Sequence, residues 1–224
     1  MRPPVRCDSG RYSVDADAPD MALIGGAAGR ITGGGVVIFP TQGLYGLGAN
    51  ALDPRAVDRI FAIKKRPPEK PVLVLINSIP EMDALVREVP PAAVKIMNAF
   101  WPGGVTLVCR ARDTLPSNLT SGTGKIGVRL PIHPVARHLV RLAAVPITGT
   151  SANLSGQAGC AKIDDIDRQV RRNVDMILDS GELKGGPGST IVDVTVSPPR
   201  ILREGVVPEP RIREILADTC IESP

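Results

Sequence analysis

Lys64-Lys65-Arg66-Pro67-Pro68-Glu69-Lys70 packs four cations into seven residues. Its two prolines stiffen the segment and lower the entropy cost of holding charge in one place. A stiff cluster of positive charge beside a sheet edge suits a polyphosphate. Three other stretches carry residue types that fit such a ligand. Pro40 to Gly48 is glycine-rich, so backbone can approach a ligand closely, and Thr41 offers a hydroxyl there. Arg129 sits among aliphatic residues in Gly127-Val128-Arg129-Leu130-Pro131, where it must find an anion or face water. Thr148 to Gly156 holds five hydroxyl or amide side chains in nine residues, a loop able to bind phosphate through hydroxyls and backbone N–H groups. Each stretch has a plainer reading: a turn, a solvated charged loop, an edge strand, a self-capped bend. Together they place hydroxyls, backbone donors and cations at several strand ends of one sheet. That points to phosphoryl or nucleotidyl transfer, which relies on positioning and charge neutralisation.

The elements that must position these residues alternate between strand and helix. Asp20 caps a predicted helix from Met21 to Ile31, which Gly33-Gly34-Gly35 ends. Val36 to Phe39 reads as a buried strand and Pro40 to Gly48 as a turn. Asp53-Pro54 starts a helix to Ile63, with Val57, Ile60, Phe61 and Lys64 on one face. Val72 to Ile76 is a second buried strand, and Ser78-x-x-Glu81 resembles a capping box. Further strands are expected at Val105–Cys109, Ile126–Leu130, Pro146–Thr148, Met176–Leu178 and Thr190–Val196. Helices are expected before Trp101, after Pro134, near Asp164–Arg172 and at Pro210–Ala217, and Ser117 to Lys125 reads as a loop. Residues 1 to 18 read as a mobile arm or an edge strand. The class is α/β, a twisted mixed sheet flanked by helices, in a single domain over residues 1–224.

Composition narrows the function. Only 3% of residues are aromatic, too few for a platform that stacks single-stranded nucleic acid. Cys7, Cys109, Cys160 and Cys220 are scattered without a C-x-x-C pair, which argues against zinc and fits a reducing cytoplasm. Cys109 reads as a core residue. The N-terminus lacks an apolar signal segment, and no run approaches the length of a membrane span. Gly122-Thr123-Gly124-Lys125 lacks the first glycine and the closing hydroxyl of a phosphate-binding loop. His133 and His138 are the only histidines and read as structural, so a histidine-activated nucleophile is not expected.

From about Gly34 to Gly205 the chain resembles the YrdC/Sua5 family of threonylcarbamoyl-AMP synthases, in its short, single-domain form. The resemblance rests on Phe39-Pro40-Thr41 with Tyr45-Gly46-Leu47-Gly48, Ile60-Phe61 leading into Lys64-x-Arg66-Pro67, and Trp101-Pro102-Gly103. It continues through Val128-Arg129-Leu130-Pro131-x-His133-Pro134, Ser151-Ala152-Asn153-Leu154-Ser155-Gly156, Ser189-Thr190-Ile191-Val192-Asp193 and Leu202-Arg203-x-Gly205, all in the family's order.

The resemblance implies that L-threonine, bicarbonate and ATP give L-threonylcarbamoyl-AMP and pyrophosphate, for t6A modification of tRNA. It implies that Lys64, Arg66 and Lys70 hold the triphosphate, Lys64 and Arg66 acting catalytically. Ser151, Asn153 and Arg203 would also contact ATP. Thr41, Arg129 and the backbone near Gly149 would hold threonine. Mg²⁺ would ride on the phosphates, with no metal site in the protein. Partners in the t6A pathway are implied as well. Gln42, Gly104, Lys125, Gly159-Cys160-Ala161 and Glu204 depart from the family's usual residues, and lost hydroxyls at Lys125 and Gly159 imply weaker adenosine or phosphate contacts. The alternative is a non-catalytic protein of this fold that binds double-stranded RNA or tRNA, which needs few aromatics.

Overall fold

The structure, a computed structural model, describes residues 10–217. Eleven short strands form two mixed sheets among the described residues, where the sequence suggests one. The first sheet holds β1 (Arg11–Ser13), β2 (Val37–Pro40), β3 (Tyr45–Gly48), β8 (Thr150–Ser151) and β9 (Met176–Asp179), in the order β1-β9-β2-β3-β8. The second holds β4 (Val74–Leu75), β5 (Val105–Arg110), β6 (Lys125–Arg129), β7 (Ile147–Thr148), β10 (Thr190–Asp193) and β11 (Arg200–Arg203), in the order β11-β10-β5-β6-β4-β7.

Helix starts follow local chemistry. Asp20 accepts from the N–H groups of Ala22 and Leu23 to open α1 (Met21–Thr32). Asp53 accepts from Arg55 N–H, with Pro54 at the first turn of α2 (Pro54–Lys64). The expected capping box at Ser78 forms differently. The Glu81 carboxylate accepts from Ser78 Oγ and Asn77 N–H, and only a short turn and α3 (Met82–Leu85) follow. The remaining helices are α4 (Pro91–Phe100), α5 (Ser117–Thr120), α6 (Pro134–Ala143), α7 (Arg168–Arg172) and α8 (Glu209–Ala217). The stretch read as a loop from Ser117 thus begins with a helical turn. The stretch read as a turn from Pro40 contains β3, whose glycines hid its strand character.

Strand alternation divides the buried surface. Val37 and Phe39 of β2 pack with α1 and α6, whereas Ile38 joins the larger core. Val105, Leu107 and Cys109 of β5, Ile126 and Val128 of β6, and Val192 of β10 face that larger core. Their sequence neighbours Thr106, Val108, Lys125, Gly127, Arg129 and Ile191 line a cavity on the other face.

The two sheets meet along a seam. Thr148 ends β7 in one sheet and Thr150 begins β8 in the other, so Gly149 carries the chain between them. Thr148 Oγ1 donates to Leu47 O and accepts from Ala49 N–H, tying β7 to the end of β3. A Cβ on Gly149 would lie 2.7 Å from both Leu73 Cδ1 and Leu75 Cγ, so the crossing requires glycine. The N-terminal segment supplies an edge strand: β1 pairs in parallel with β9, and Arg11 bonds Asp164 and Asp179. Residues 1–9 lie outside the described residues. No helix among those described is long and apolar enough to cross a membrane.

Candidate functional site

A cavity of about 620 Å³ opens between the two sheets. Thr41, Arg66, Arg129, Gly149, Ser151 and Arg203 all line it, drawn together from five separate stretches of sequence. Lys64, Lys70 and Asn153 do not.

The basic run divides as it leaves α2. Lys65 adopts a left-handed conformation at the helix C-terminus, φ 49°, and Arg66 N–H closes back on Phe61 O at 2.9 Å. Lys64 points inward from the buried face of α2, shared with Val57 and Ile60, and the reversal at Lys65 carries Arg66 to the cavity. Lys64 is 1% exposed, so the plainer reading of a solvated charged loop does not hold at this position. Its ammonium donates to Ser151 O, to Asn153 O at 2.7 Å and to Asn153 Oδ1 at 3.4 Å. Three oxygens replace water around the buried charge. Burial, with Arg66's charge beside it, still pushes the Lys64 ammonium down to about 7. Arg66 donates to Lys70 O and Pro71 O within its own loop while lining the cavity. Lys70 is exposed and meets Arg66 through its backbone carbonyl.

The serine-rich bend meets Lys64. Ser151 Oγ donates to Asn153 Oδ1, and Asn153 Nδ2 donates to Leu154 O and Gln157 O. Ser155 N–H returns to Lys64 O at 2.8 Å. Lys64 and Asn153 therefore form the frame that presents Ser151, rather than the lining itself.

At the opposite wall, Arg129 donates to Gly103 O at 2.6 Å and to Gln42 Oε1 at 3.3 Å. Burial, reinforced by Arg203, pushes its guanidinium down to about 10, still a cation at neutral pH. Arg203 donates to Ser189 O, and burial lowers both it and Arg66. Thr41 Oγ1 donates to Leu44 O at 2.6 Å, closing the hairpin loop. Gly149 N–H is already bound to Leu73 O, so only its carbonyl remains for a ligand.

Other lining residues are not among the ligand-binding residues expected from the sequence. Lys125 is bound to Asp193 at 2.8 Å. Thr106 and Ser189 share a 2.7 Å hydroxyl contact. Gly186, Pro187 and Gly188 form a strap over the hairpin loop, anchored by Gly185 N–H on Gly43 O. The Gly185-Gly186-Pro187-Gly188 run directly ahead of β10 was the available signal. His133, read as structural, lines the cavity; its Nδ1 is buried and unpartnered, and burial lowers its pKa. The departures from the family's usual residues have local partners. A Cβ at Gly104 would strike Val206, one at Gly159 would lie 2.7 Å from Leu44 Cδ1, and Glu204 accepts from the N–H of Glu209 at the start of α8.

The charge pattern is one-sided. Arg66, Lys125, Arg129 and Arg203 line the cavity, and no carboxylate does among the described residues. The three arginines are bound only to carbonyl and amide oxygens, so their charges are not neutralised locally. Such a cavity stabilises a polyanion.

A family model described as "Telomere recombination", that of the Sua5/YciO/YrdC proteins, matches residues 30–205. The chain is 38% identical over 195 residues to the threonylcarbamoyl-AMP synthase of Pyrococcus abyssi, covering 87% of this chain and 57% of that protein. It superposes on the crystal structure of P. abyssi Sua5 complexed with L-threonine with a TM-score of 0.88 at 36% identity, covering 92% of this chain and 61% of that one. The E. coli YciO crystal structure gives a TM-score of 0.80 at 27% identity, covering 88% of this chain and 95% of that one. The chain therefore spans less than two thirds of the P. abyssi protein.

Proposed function

The chain belongs to the Sua5/YciO/YrdC family, and on that premise we propose that it is a nucleotidyltransferase making L-threonylcarbamoyl-AMP. Its substrates are L-threonine, bicarbonate and ATP, its second product is pyrophosphate, and the adenylate serves t6A modification of tRNA. The observation that carries this reading is the cavity lined by four cations and no carboxylate among the described residues, three of those cations lacking an acidic partner.

The chemistry divides along the cavity. The threonine amine attacks the carbon of bicarbonate, forming an N–C bond and releasing water, to give a carbamate. A carbamate oxygen then attacks the α-phosphorus of ATP, and the bond from that phosphorus to the β-bridging oxygen breaks. Pyrophosphate leaves with the electron pair. Arg129 faces the threonine carboxylate, with Thr41 and the Gly149 carbonyl beside it. Arg66 and Arg203 offset charge on the phosphates, most of all as the leaving group gains it. Lys64 and Asn153 hold the bend that presents Ser151. A Mg²⁺ ion would find no carboxylate in this lining and would take phosphate oxygens and water, neutralising charge on the triphosphate.

A pyrophosphate-release assay tests the proposal. Release from ATP should require threonine and bicarbonate together. Release that ignores either substrate, or ATP binding without any release, would remove the synthase reading.

A further inference from the structure

We propose that His133 is a catalytic residue that stays uncharged: its Nε2–H donates to the carbonyl oxygen of bicarbonate as threonine adds to the carbon. This rests on the synthase reading above and adds a residue to its first step.

His133 lies between β6 and α6 and lines the cavity. Its backbone carbonyl accepts from Arg137 N–H at 2.9 Å, the first bond of α6, while its ring makes no hydrogen bond among the described residues. The two ring nitrogens differ. Nδ1 is sealed from water and Nε2 is not. Because the residue lines the cavity, Nε2 is the nitrogen that a ligand reaches.

The protonation state follows from this asymmetry. An imidazolium carries N–H on both nitrogens, and the one at Nδ1 would be buried without an acceptor. Burial already lowers the pKa of His133. The charged residues of the lining, and Arg137 and Arg141 of α6, are all cations, and the start of α6 adds its own positive end. The ring is therefore neutral at pH 7. A proton on Nδ1 would orphan a buried donor, which proteins tolerate less well than an orphaned acceptor. The proton is accordingly assigned to Nε2. His133 is thus a donor without charge and a poor base.

Its place selects its ligand. Val135 and Ala136, in the first turn of α6, share a core with Leu75 and Ile147, and Leu75 stands against Gly149. His133 therefore belongs to the end of the cavity that holds Arg129 and Gly149. There the threonine carboxylate takes Arg129, and the phosphates take Arg66 and Arg203. Bicarbonate still needs a donor. When the free threonine amine attacks its carbon, the N–C bond forms and the C=O π pair moves onto oxygen. The pair then returns as hydroxide leaves with a proton from the nitrogen, as water. The oxygen is most negative midway, so a fixed donor acts there on the transition state. A neutral imidazole at a helix start can polarise a carbonyl in this way.

Nitrogen NMR of the wild type tests the assignment without any activity. The chain has two histidines, and His138→Gln tells them apart. His133 should be neutral with its proton on Nε2 down to about pH 6.5, where an ordinary imidazole is half charged. A neutral Nδ1–H form, or half-protonation at or above that pH, overturns the proposal. Pyrophosphate release tests the role. His133→Asn sets an amide near the position of Nδ1, and His133→Gln sets one near Nε2. The Asn variant should lower kcat about 100-fold with ATP and threonine dissociation constants unchanged, and the Gln variant should recover most of that loss. Equal loss in both variants, or none in the Asn variant, overturns the proposal. So does 2-aminobutyrate, which lacks the threonine hydroxyl, if it abolishes the difference between wild type and the Asn variant, because His133 would then read that hydroxyl. A wild type that releases no pyrophosphate with all three substrates present overturns the synthase reading, and this role with it, whatever the NMR shows.

Discussion

The run Lys64–Lys70 and the strand β6 both carry cations, and they use them in opposite ways. The run is the most charge-dense stretch of the molecule near the site, yet of Lys64, Lys65, Arg66 and Lys70 only Arg66 reaches the cavity. One cation is buried in a frame of carbonyls, one caps a helix and one faces solvent. β6 carries only Lys125 and Arg129, and both line the cavity because a strand sends every second side chain to the same side. Charge density thus says less about a binding wall than the parity of positions on a strand.

The comparison can be broken first at its strongest point. Arg129→Ala should slow pyrophosphate release about 100- to 1000-fold, the usual loss when a positioned donor is removed, and circular dichroism should show the fold retained. Lys64→Ala should act on the fold instead. It leaves Ser151 O, Asn153 O and Asn153 Oδ1 without their shared donor, at a cost of about 3 kcal/mol, read from the urea midpoint. Comparable stability of wild type and Lys64→Ala would remove Lys64 from the role of frame.

Acid titration sharpens the β6 side. Burial draws the Asp193 carboxyl upward, but Lys125 and Thr195 outweigh it and hold its pKa below the usual 3.8. The unfolded chain therefore binds the proton first. The pair's contribution is full above pH 3.8 and is lost as the pH falls below that value toward the folded pKa. Melting temperature should drop more steeply below about pH 4 in wild type than in Asp193→Asn. Smaller effects belong to the rest of the run. Lys65→Gly relieves a left-handed residue and should add about 1 kcal/mol, seen as a higher melting temperature. Lys70→Ala should change stability by less than ~0.5 kcal/mol and leave pyrophosphate release intact.

Local signals were legible in the chain and long-range ones were not. Asp20 and Asp53-Pro54 marked their helices within a residue or two, because a cap is chemistry between near neighbours. The alternation at Ile126–Leu130 located β6, offset by one residue. Two sheets in place of one could not be read, because pairing depends on partners far along the chain. β8 and β11 lie outside any obvious pattern: one has two residues, and the other is largely exposed. At the site, residue types drew attention to Thr41, Arg66, Arg129 and Ser151, all of which reach the cavity. Helical spacing put Lys64 on the face of Val57 and Ile60, which is the buried one, but the oxygens that receive its ammonium come from the bend at Ser151–Asn153, nearly ninety positions away. Lys125 read as a missing hydroxyl, because Asp193, 68 positions away, is what fixes its direction.

Gly149 fixes the gape of the cleft. It is the single residue through which the chain passes from one sheet to the other between Thr148 and Thr150, and two leucines stand where its side chain would be. The end of the cleft beside Gly149 is consequently measured by main chain, which cannot swing aside as a rotamer can. A bulkier guest gains no room from a thermal side-chain flip there; it must part the two sheets.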